Sequence, residues 1–291
     1  MKIIETAKIT EAVREMAIEA ACDLEPDILE GLVKARDRET SPLAKDLLDL
    51  LLVNADIASR EKMPVCQDTG ISVVFVSIGS DLIIDGDLEA AVQEGIRQGY
   101  EEGYLRKSVC DPLTRKNTGT NTPAIVHLES HSGDDLKISY LPKGCGSENM
   151  SRLQMLPPSA GIDGVVDFIC ETVFAAGPNP CPPLVIGVGI GGSFEKAAIL
   201  AKRSLFRPLG EHHQRQDVAE LEKNILARLN REGQGVEGMG GINTALAVHI
   251  EVFPSHIASL PVAVNIQCHA HRHKERVLVG REWPGPADSP A

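Results

Sequence analysis

The chain has 291 residues, of which 43% are hydrophobic and 24% charged, and its formal net charge is -12 at pH 7. This composition is typical of a soluble globular protein with enough chain for a proper core. The acidic excess argues against a nucleic-acid partner, because phosphate binding needs clustered lysine and arginine. Neither a membrane-spanning run nor a signal sequence is recognised, so we expect a cytoplasmic protein without a membrane partner.

The N-terminal sixty residues predict three helices. Thr10 is a candidate N-cap for the first, which should end near Ala21, and Pro26 suits the first turn of a second helix over residues 27–34. A third helix should begin at residues 41–42, and its apolar run over residues 47–53 predicts heavy burial.

Strands and helices alternate in the rest of the chain. The apolar run 71–78 predicts a strand covered on both faces, and residues 124–128 and 136–141 predict the two strands of a hairpin. Further helices are predicted over residues 87–105, 161–176, 194–204 and 217–229, and further strands over residues 184–190, 244–253 and 260–266. We therefore predict an α/β fold with mixed sheets, flanking helices and a helical N-terminal region. It should form a single domain over residues 1–282, with a flexible tail over residues 283–291.

Three loops carry residues suited to chemistry. Residues 63–70 hold Cys66 beside an amide and a carboxylate, between a proline and a glycine that mark a loop. Taken alone, this is also what an ordinary loop cysteine looks like. The polar, glycine-spaced residues 143–149 either present backbone N–H groups to an anion or form a plain connection. Residues 177–183 hold Cys181 among prolines, on a stiff, non-helical backbone that suits a fixed ligand.

A nucleotide site is one interpretation of residues 187–192, which match the pattern G-x-G-x-x-G between a predicted strand and a predicted helix. The following strand does not end in an acidic residue at the distance typical of dinucleotide-binding folds. The glycines also fit a second interpretation, in which they allow the strand and the helix to cross closely.

The cysteines leave further interpretations open. There are seven, an odd number widely scattered, which does not resemble a secreted disulfide framework. Cys66, Cys181 or Cys268 can each act as a nucleophile, with His256 or the histidines of residues 269–273 as base. A zinc site would lack finger-like ligand spacing. The same three cysteines, each at an element boundary, also supply the thiolates that an iron–sulfur cluster needs, with one iron left open as a Lewis acid.

A resemblance to a known family separates these interpretations. The chain resembles the iron-dependent class I fumarate hydratases, and their relative L-tartrate dehydratase, at Pro64-Val65-Cys66-Gln67-Asp68-Thr69-Gly70, Lys143-Gly144-Cys145-Gly146-Ser147-Glu148-Asn149, Cys181-Pro182-Pro183 and the stretch from Ser259 to Cys268. The match covers nearly the whole chain and corresponds to the α subunit of the two-chain enzymes.

The resemblance implies a cofactor and roles for particular residues. It implies a 4Fe–4S cluster ligated by Cys66, Cys181 and Cys268. Further implied roles are substrate carboxylate binding by Gln67 and Arg106 with support from the Gly146 backbone, acid–base chemistry by Asp68 at the carbon bearing the hydroxyl, and an active-site partner in His256. Cys145 stands where family members often have glycine, and we expect it not to ligate the cluster.

The resemblance also implies the reaction and the assembly. The expected reaction is reversible hydration of fumarate to (S)-malate, with a small dicarboxylate as substrate and the open iron as Lewis acid. A β subunit would carry the remaining active-site residues, in an α2β2 heterotetramer. L-tartrate dehydratase, which converts tartrate to oxaloacetate, is the nearest alternative, although the loop at residues 144–149 looks more like the fumarase version. A non-catalytic scaffold with the same fold would have no need of Asp68, Arg106 and His256.

Overall fold

The structure is a computed structural model, and it describes residues 1–283 and 285. The helices are α1 Thr6–Cys22, α2 Pro26–Arg38, α3 Pro42–Glu61, α4 Leu88–Glu102, α5 Cys145–Glu148, α6 Gly161–Ala176, α7 Phe194–Arg203 and α8 Gln216–Glu232. The strands are β1 Lys2–Glu5, β2 Ile71–Gly79, β3 Leu82–Asp85, β4 Ile125–His131, β5 Asp135–Lys143, β6 Arg152–Leu156, β7 Leu184–Gly191, β8 Ala245–Phe253, β9 Leu260–Gln267, β10 Lys274–Val279 and β11 Arg281–Glu282. None of the helices in this described part is both long and apolar enough to cross a membrane.

The described chain forms two compact units, and each is assembled from separate stretches of sequence. Unit 1 comprises residues 1–23, 62–143 and 272 onward, and unit 2 comprises residues 24–61 and 144–271. Unit 1 contains the sheets β11-β1-β3 and β10-β5-β2-β4, and unit 2 contains the sheet β6-β9-β7-β8. Each sheet has parallel and antiparallel pairs, so the predicted α/β fold with mixed sheets, flanking helices and a helical N-terminal region is confirmed.

The predicted extent of the domain, residues 1–282, stays a prediction. The predicted flexible tail over residues 283–291 lies outside the described residues except for Trp283 and Gly285. The backbone N–H of Trp283 donates to the Met1 carbonyl at 3.2 Å.

The core of unit 1 forms around β2, the strand predicted to be covered on both faces. Residues 72–76 of this strand are all buried, which confirms that prediction. Helices α1 and α4 pack together at glycine positions, where a Cβ on Gly99 would lie 2.8 Å from the Ala17 Cβ. Only a residue without a side chain allows this close approach.

The predicted hairpin of the strands now labelled β4 and β5 is wrong. Strand β2 lies between them, pairing in parallel with β4 and antiparallel with β5. The turn at residues 132–135 does reverse the chain, but turn chemistry sets direction and does not decide which strand becomes the neighbour. Pairing between β2 and β4 requires a contact between residues far apart in sequence.

The N-terminal helices differ from their predictions in cap and burial. Helix α1 begins at Thr6, and the hydroxyl of Thr10 donates to the Ala91 carbonyl at 3.0 Å instead of capping the helix. In α3, Leu48 is fully buried whereas Leu50 is 63% exposed and Val53 54% exposed, so heavy burial of the whole run is wrong. Consecutive apolar residues surround a helix, and only one face of α3 is covered by the rest of the protein.

Candidate active site

The residues 64–70, here called the 64–70 loop, owe their shape to local contacts in unit 1. The Val65 N–H donates to the Ala21 carbonyl at 2.9 Å, and Asp68 Oδ1 accepts the Gly70 N–H at 2.9 Å. Gly70 has φ +77, and a Cβ there would lie 2.7 Å from the carbonyl carbon of Lys143. Both the left-handed backbone and the close approach therefore require glycine at this position.

The 64–70 loop is hydrogen-bonded to the segment that carries Arg106. The Thr69 hydroxyl donates to the Arg106 carbonyl at 2.8 Å. Asn121, completely buried, donates from Nδ2 to the Gly70 carbonyl at 3.1 Å. Its Oδ1 accepts the N–H groups of Ser108 and Val109 at 2.7 and 3.1 Å. Unit 1 therefore brings the loop with Cys66, Gln67 and Asp68 together with the backbone of Arg106.

Three consecutive carbonyls of this loop each accept a hydrogen bond from a buried side chain. Arg272 Nη2 donates to Asp68 O at 2.8 Å, the Tyr100 hydroxyl to Thr69 O at 2.6 Å, and Asn121 to Gly70 O. Burial raises the pKa of Tyr100, which keeps its phenol protonated as a donor. These three hydrogen bonds from buried side chains fix the backbone that follows Cys66.

The predicted site residues of unit 1 differ in exposure in a way that suits ligand binding. Gln67 and Arg106 are exposed, while Cys66 and Asp68 are half-buried. An exposed amide and an exposed guanidinium can meet a carboxylate arriving from solvent, and a guanidinium binds a carboxylate with two parallel hydrogen bonds.

In unit 2 the backbone of Cys181 is hydrogen-bonded to the residue that follows Cys268. The carbonyl of Cys181 accepts the N–H of His269 at 3.2 Å, which places Cys181 beside Cys268 at the end of β9. Cys181 is exposed, has φ +56 and precedes a cis peptide bond between Pro182 and Pro183. The left-handed conformation, which is uncommon for a residue with a side chain, confirms the expected non-helical backbone at Cys181. Its stiffness stays a prediction.

Gly146 and His256 both belong to unit 2, the first in α5 and the second in the turn after β8. Gly146 is an exposed residue of α5, and the neighbouring Ser147 hydroxyl donates to Gln267 Oε1 at 3.4 Å, just before Cys268. His256 is exposed in the turn after β8, where its Nδ1 accepts the Ala258 N–H at 3.1 Å. That acceptor role assigns the proton of the neutral ring to Nε2. Among residues 1–283 and 285, the hydrogen bonds of His256 stay within its own turn.

Several residues that the structure places at these loops were missed from the sequence. Thr69 lies within the recognised motif and Asn121 within a turn-rich segment, so both had a weak signal. Nothing in the sequence pointed to Tyr100 or Arg272. Glu237 was also missed: its N–H donates to the Pro182 carbonyl at 2.9 Å, and burial raises the pKa of its carboxyl group.

The chemistry of the donor set fits an iron–sulfur cluster. Cys66, Cys181 and Cys268 are not disulfide-bonded and are at least partly exposed on loops, unlike Cys170, which is buried in α6 with its pKa raised to about 11. Within residues 1–283 and 285, no group of three or more histidine, cysteine or carboxylate side chains is placed to hold one metal ion. In a cluster each thiolate binds a different iron, so its ligands need not gather around one point.

The glycines of the possible nucleotide motif are accounted for by packing. Gly187 and Gly189 lie inside β7, where added Cβ atoms would lie 2.1 Å from the Ala201 carbonyl oxygen and 2.0 Å from that of Ala197. Helix α7 therefore packs directly against the strand backbone. This is the second interpretation of the motif, a close crossing of strand and helix, and it leaves the nucleotide interpretation without support from these two glycines.

Comparison with known proteins assigns the chain to a family. A family model described as "Fumarate hydratase (Fumerase)" matches residues 10–277. A Methanocaldococcus jannaschii protein named "Putative L(+)-tartrate dehydratase subunit alpha" is 42% identical over 272 residues, covering 91% of this chain and 95% of that protein. The "L(+)-tartrate dehydratase subunit alpha" of Escherichia coli (strain K12) is 33% identical over 269 residues, covering 91% and 89% respectively.

These matches place the chain among the hydro-lyases of the fumarase and tartrate dehydratase type. The chain belongs to the class I fumarate hydratase family, and the resemblance seen in its motifs is confirmed.

Proposed function

We propose that the chain is the α subunit of an iron–sulfur hydro-lyase that removes water from L-tartrate to give oxaloacetate. The observation that carries the proposal is the hydrogen-bonded pairing of the 64–70 loop with the Arg106 segment in unit 1. It holds an amide, a carboxylate and a guanidinium in the part of the chain that carries one of the expected cluster thiols. The names of the two relatives favour tartrate over fumarate as the substrate.

The exposed residues bind the substrate in this proposal. Arg106 forms two hydrogen bonds with one carboxylate of the diacid, and the Gln67 amide donates to the same group. The backbone of Gly146 supports the bound carboxylate. The fixed loop is an advantage, because catalysis gains most when the reacting groups are held in place before the substrate arrives.

Asp68 carries out the acid–base chemistry at the carbon that bears the departing hydroxyl. The Gly70 N–H on its Oδ1 fixes the orientation of the carboxylate, which is needed for directed proton transfer. His256, with its proton on Nε2, is a second group able to exchange a proton or donate a hydrogen bond to the substrate.

Cys66, Cys181 and Cys268 would hold the 4Fe–4S cluster, which supplies a Lewis acid for the leaving hydroxyl when it is bound. The first thiol belongs to the hydrogen-bonded 64–70 loop, the second precedes two prolines, and the third follows the end of β9. Cys145 is not part of the proposed ligand set.

We further propose that a β subunit completes the active site in an α2β2 assembly. The two relatives are both named as alpha subunits, which supports a partner chain for this protein as well. The partner would supply the base that removes the carbon-bound proton, together with further cationic groups for the second carboxylate.

Fumarate remains the second candidate substrate, because the loop at residues 144–149 resembles the fumarase version. The experiment is to purify the chain together with its β subunit, reconstitute the cluster without oxygen, and measure kcat/KM for L-tartrate and for (S)-malate. A higher kcat/KM for L-tartrate supports the first proposal. A higher value for (S)-malate would assign the enzyme to fumarate hydration instead.

Iron and sulfide analysis tests the ligand set independently of the substrate. The wild-type chain should hold about four irons, and Cys66→Ser, Cys181→Ser and Cys268→Ser should each lose them. Cys145→Ser is the matched control and should keep its iron. A wild type that takes up no iron, or a Cys145 variant as depleted as the others, would contradict the assignment.

A further inference from the structure

Arg272, in unit 1, is an unusual arginine because its side chain is almost completely buried. Only 1% of its surface is exposed, and it is first by volume among the fully buried side chains of the described chain. Nη2 donates to the Asp68 carbonyl at 2.8 Å. Among residues 1–283 and 285, neither Nε nor Nη1 has a hydrogen-bond partner.

The charge of Arg272 is only partly met by the groups around it in the part of the chain that the structure describes. The carbonyl of Asp68 carries a partial charge. The Asp68 carboxylate acts on Tyr100 together with Arg272, but it accepts from neither Nε nor Nη1. Tyr100 and Tyr140 are neutral because burial raises the pKa of both phenols. Folding removes a guanidinium from water at a high cost in free energy, which proteins offset by pairing it with an anion. The N–H groups of Nε and Nη1 have no acceptor within the described chain and therefore indicate a negatively charged acceptor that binds after folding.

The acceptor should be resident and close to the 64–70 loop. Solvent does not reach Arg272, and Gln67 and Arg106 already offer exposed donors to the substrate. A substrate carboxylate would also leave after every turnover and uncover the buried charge again. The loop to which Arg272 is bonded carries Cys66, whose thiolate belongs to the proposed cluster.

We infer that Arg272 donates hydrogen bonds from Nε and Nη1 to the anionic iron–sulfur centre bound through Cys66 and compensates for its negative charge. The inference rests on the proposed function, because it requires the cluster. Arg272 is then a positioning residue with two effects: it fixes the Asp68 carbonyl, and it stabilises the more negative, reduced state of the cluster. Hydrogen bonds to sulfur and nearby positive charge both raise the reduction potential of such centres.

The test compares reduction potentials in the reconstituted α–β enzyme. Arg272→Met removes the charge and the donors, Arg272→Lys keeps the charge with a different donor geometry, and Arg276→Met is the matched control. Arg276 lies in the same segment, but its guanidinium is paired with Glu15 and Glu19, so the protein already neutralises it. The potential is measured by a redox titration followed by electron paramagnetic resonance.

The expected result is a more negative potential in Arg272→Met, a smaller shift in Arg272→Lys, and no change in Arg276→Met. Loss of iron to a chelator should also be at least about tenfold faster in Arg272→Met, a factor that corresponds to about 1.4 kcal/mol. An unchanged potential in a cluster-loaded Arg272→Met enzyme would overturn the inference while leaving the proposed function intact. A wild type without iron would instead overturn the proposed function, and the inference with it.

A measurement on the wild type covers the case in which Arg272→Met does not fold. With ¹⁵N-labelled arginine in the enzyme, the reduced cluster should show a nitrogen hyperfine coupling that is absent from Arg272→Lys. The absence of any such coupling in the wild type would overturn the inference. A coupling that arises only after substrate is added would also overturn it, because Arg272 would then face the substrate rather than the resident centre.

Discussion

Asn121 is the residue whose replacement tests most directly how unit 1 holds its loop. Its side chain accepts the N–H groups of Ser108 and Val109 and donates to the Gly70 carbonyl, and its backbone has φ +59. Asn121→Ala leaves two half-buried N–H groups without an acceptor, at about 1–2 kcal/mol each, the lower part of the range for buried groups. Alanine also adds about 1 kcal/mol of strain at this left-handed position, which asparagine tolerates better. We expect a total loss of about 3–5 kcal/mol.

The assay is urea-induced unfolding of the iron-free subunit, so that cluster loss does not disturb the two-state analysis. Asn117→Ala is the matched control, because Asn117 is an exposed residue of the same loop and should cost less than about 1 kcal/mol. In the reconstituted enzyme, Asn121→Ala should also lower kcat/KM by at least about tenfold, since the loop and the Arg106 segment lose a shared anchor. If both variants lose the same small amount of stability, the anchoring argument is refuted.

Three further predictions concern unit 2. Gly189→Ala should destabilise the chain by about 3 kcal/mol or more in the same urea assay, because the added methyl group would overlap the backbone of α7. Gly31→Ala is the control. An added methyl group there makes only ordinary contacts within a helix, so the change should be neutral or stabilising. Burial raises the pKa of Cys170 to about 11, so an alkylating agent at pH 8 should label the exposed Cys181 of the iron-free chain and spare Cys170, as read by peptide mass spectrometry. Burial lowers the pKa of His249 to about 4, so the unfolded chain binds this proton first as the pH falls below about 6.5. The wild type should lose about 3 kcal/mol of stability between neutral pH and pH 4. His249→Gln has no imidazole to protonate and should lose less over the same pH range. Equal losses in the two proteins would refute the assignment of this pH dependence to His249.

Local patterns in the sequence predict the elements well, and the topology much less well. Helix α6 has the predicted bounds, and β2 is covered on both faces as its apolar run indicates, because both follow from residues near in sequence. The hairpin failed because the insertion of β2 between β4 and β5 is decided by long-range pairing. In α3, the sequence alone could not choose which part of an apolar run faces the core.

The same distinction applies to the site. Cys66, Gln67 and Asp68 stand in one motif, so a resemblance could single them out. The groups that hold this motif in place come from positions 31 to 204 residues away and have no pattern of their own. The motif at residues 187–192 shows the reverse case, since its pattern matched a nucleotide site while the atoms show glycines needed for packing.

The way in which the 64–70 loop is held explains how the groups proposed for catalysis can keep one geometry on a surface loop. A loop with a proline, an exposed glutamine and a half-buried aspartate gains little from apolar burial, so it has no strong preference for one conformation of its own. The carbonyls of Asp68, Thr69 and Gly70 instead accept hydrogen bonds from Arg272, Tyr100 and Asn121, all of them buried. Hydrogen bonds are directional, so three in a row fix the rotation of each peptide plane as well as its position. A buried donor without an acceptor costs free energy, and a loop conformation that moves these carbonyls away leaves three such donors without an acceptor. The loop can then present Gln67 and Asp68 to solvent in one geometry, and the cost of ordering them is met at folding rather than at substrate binding.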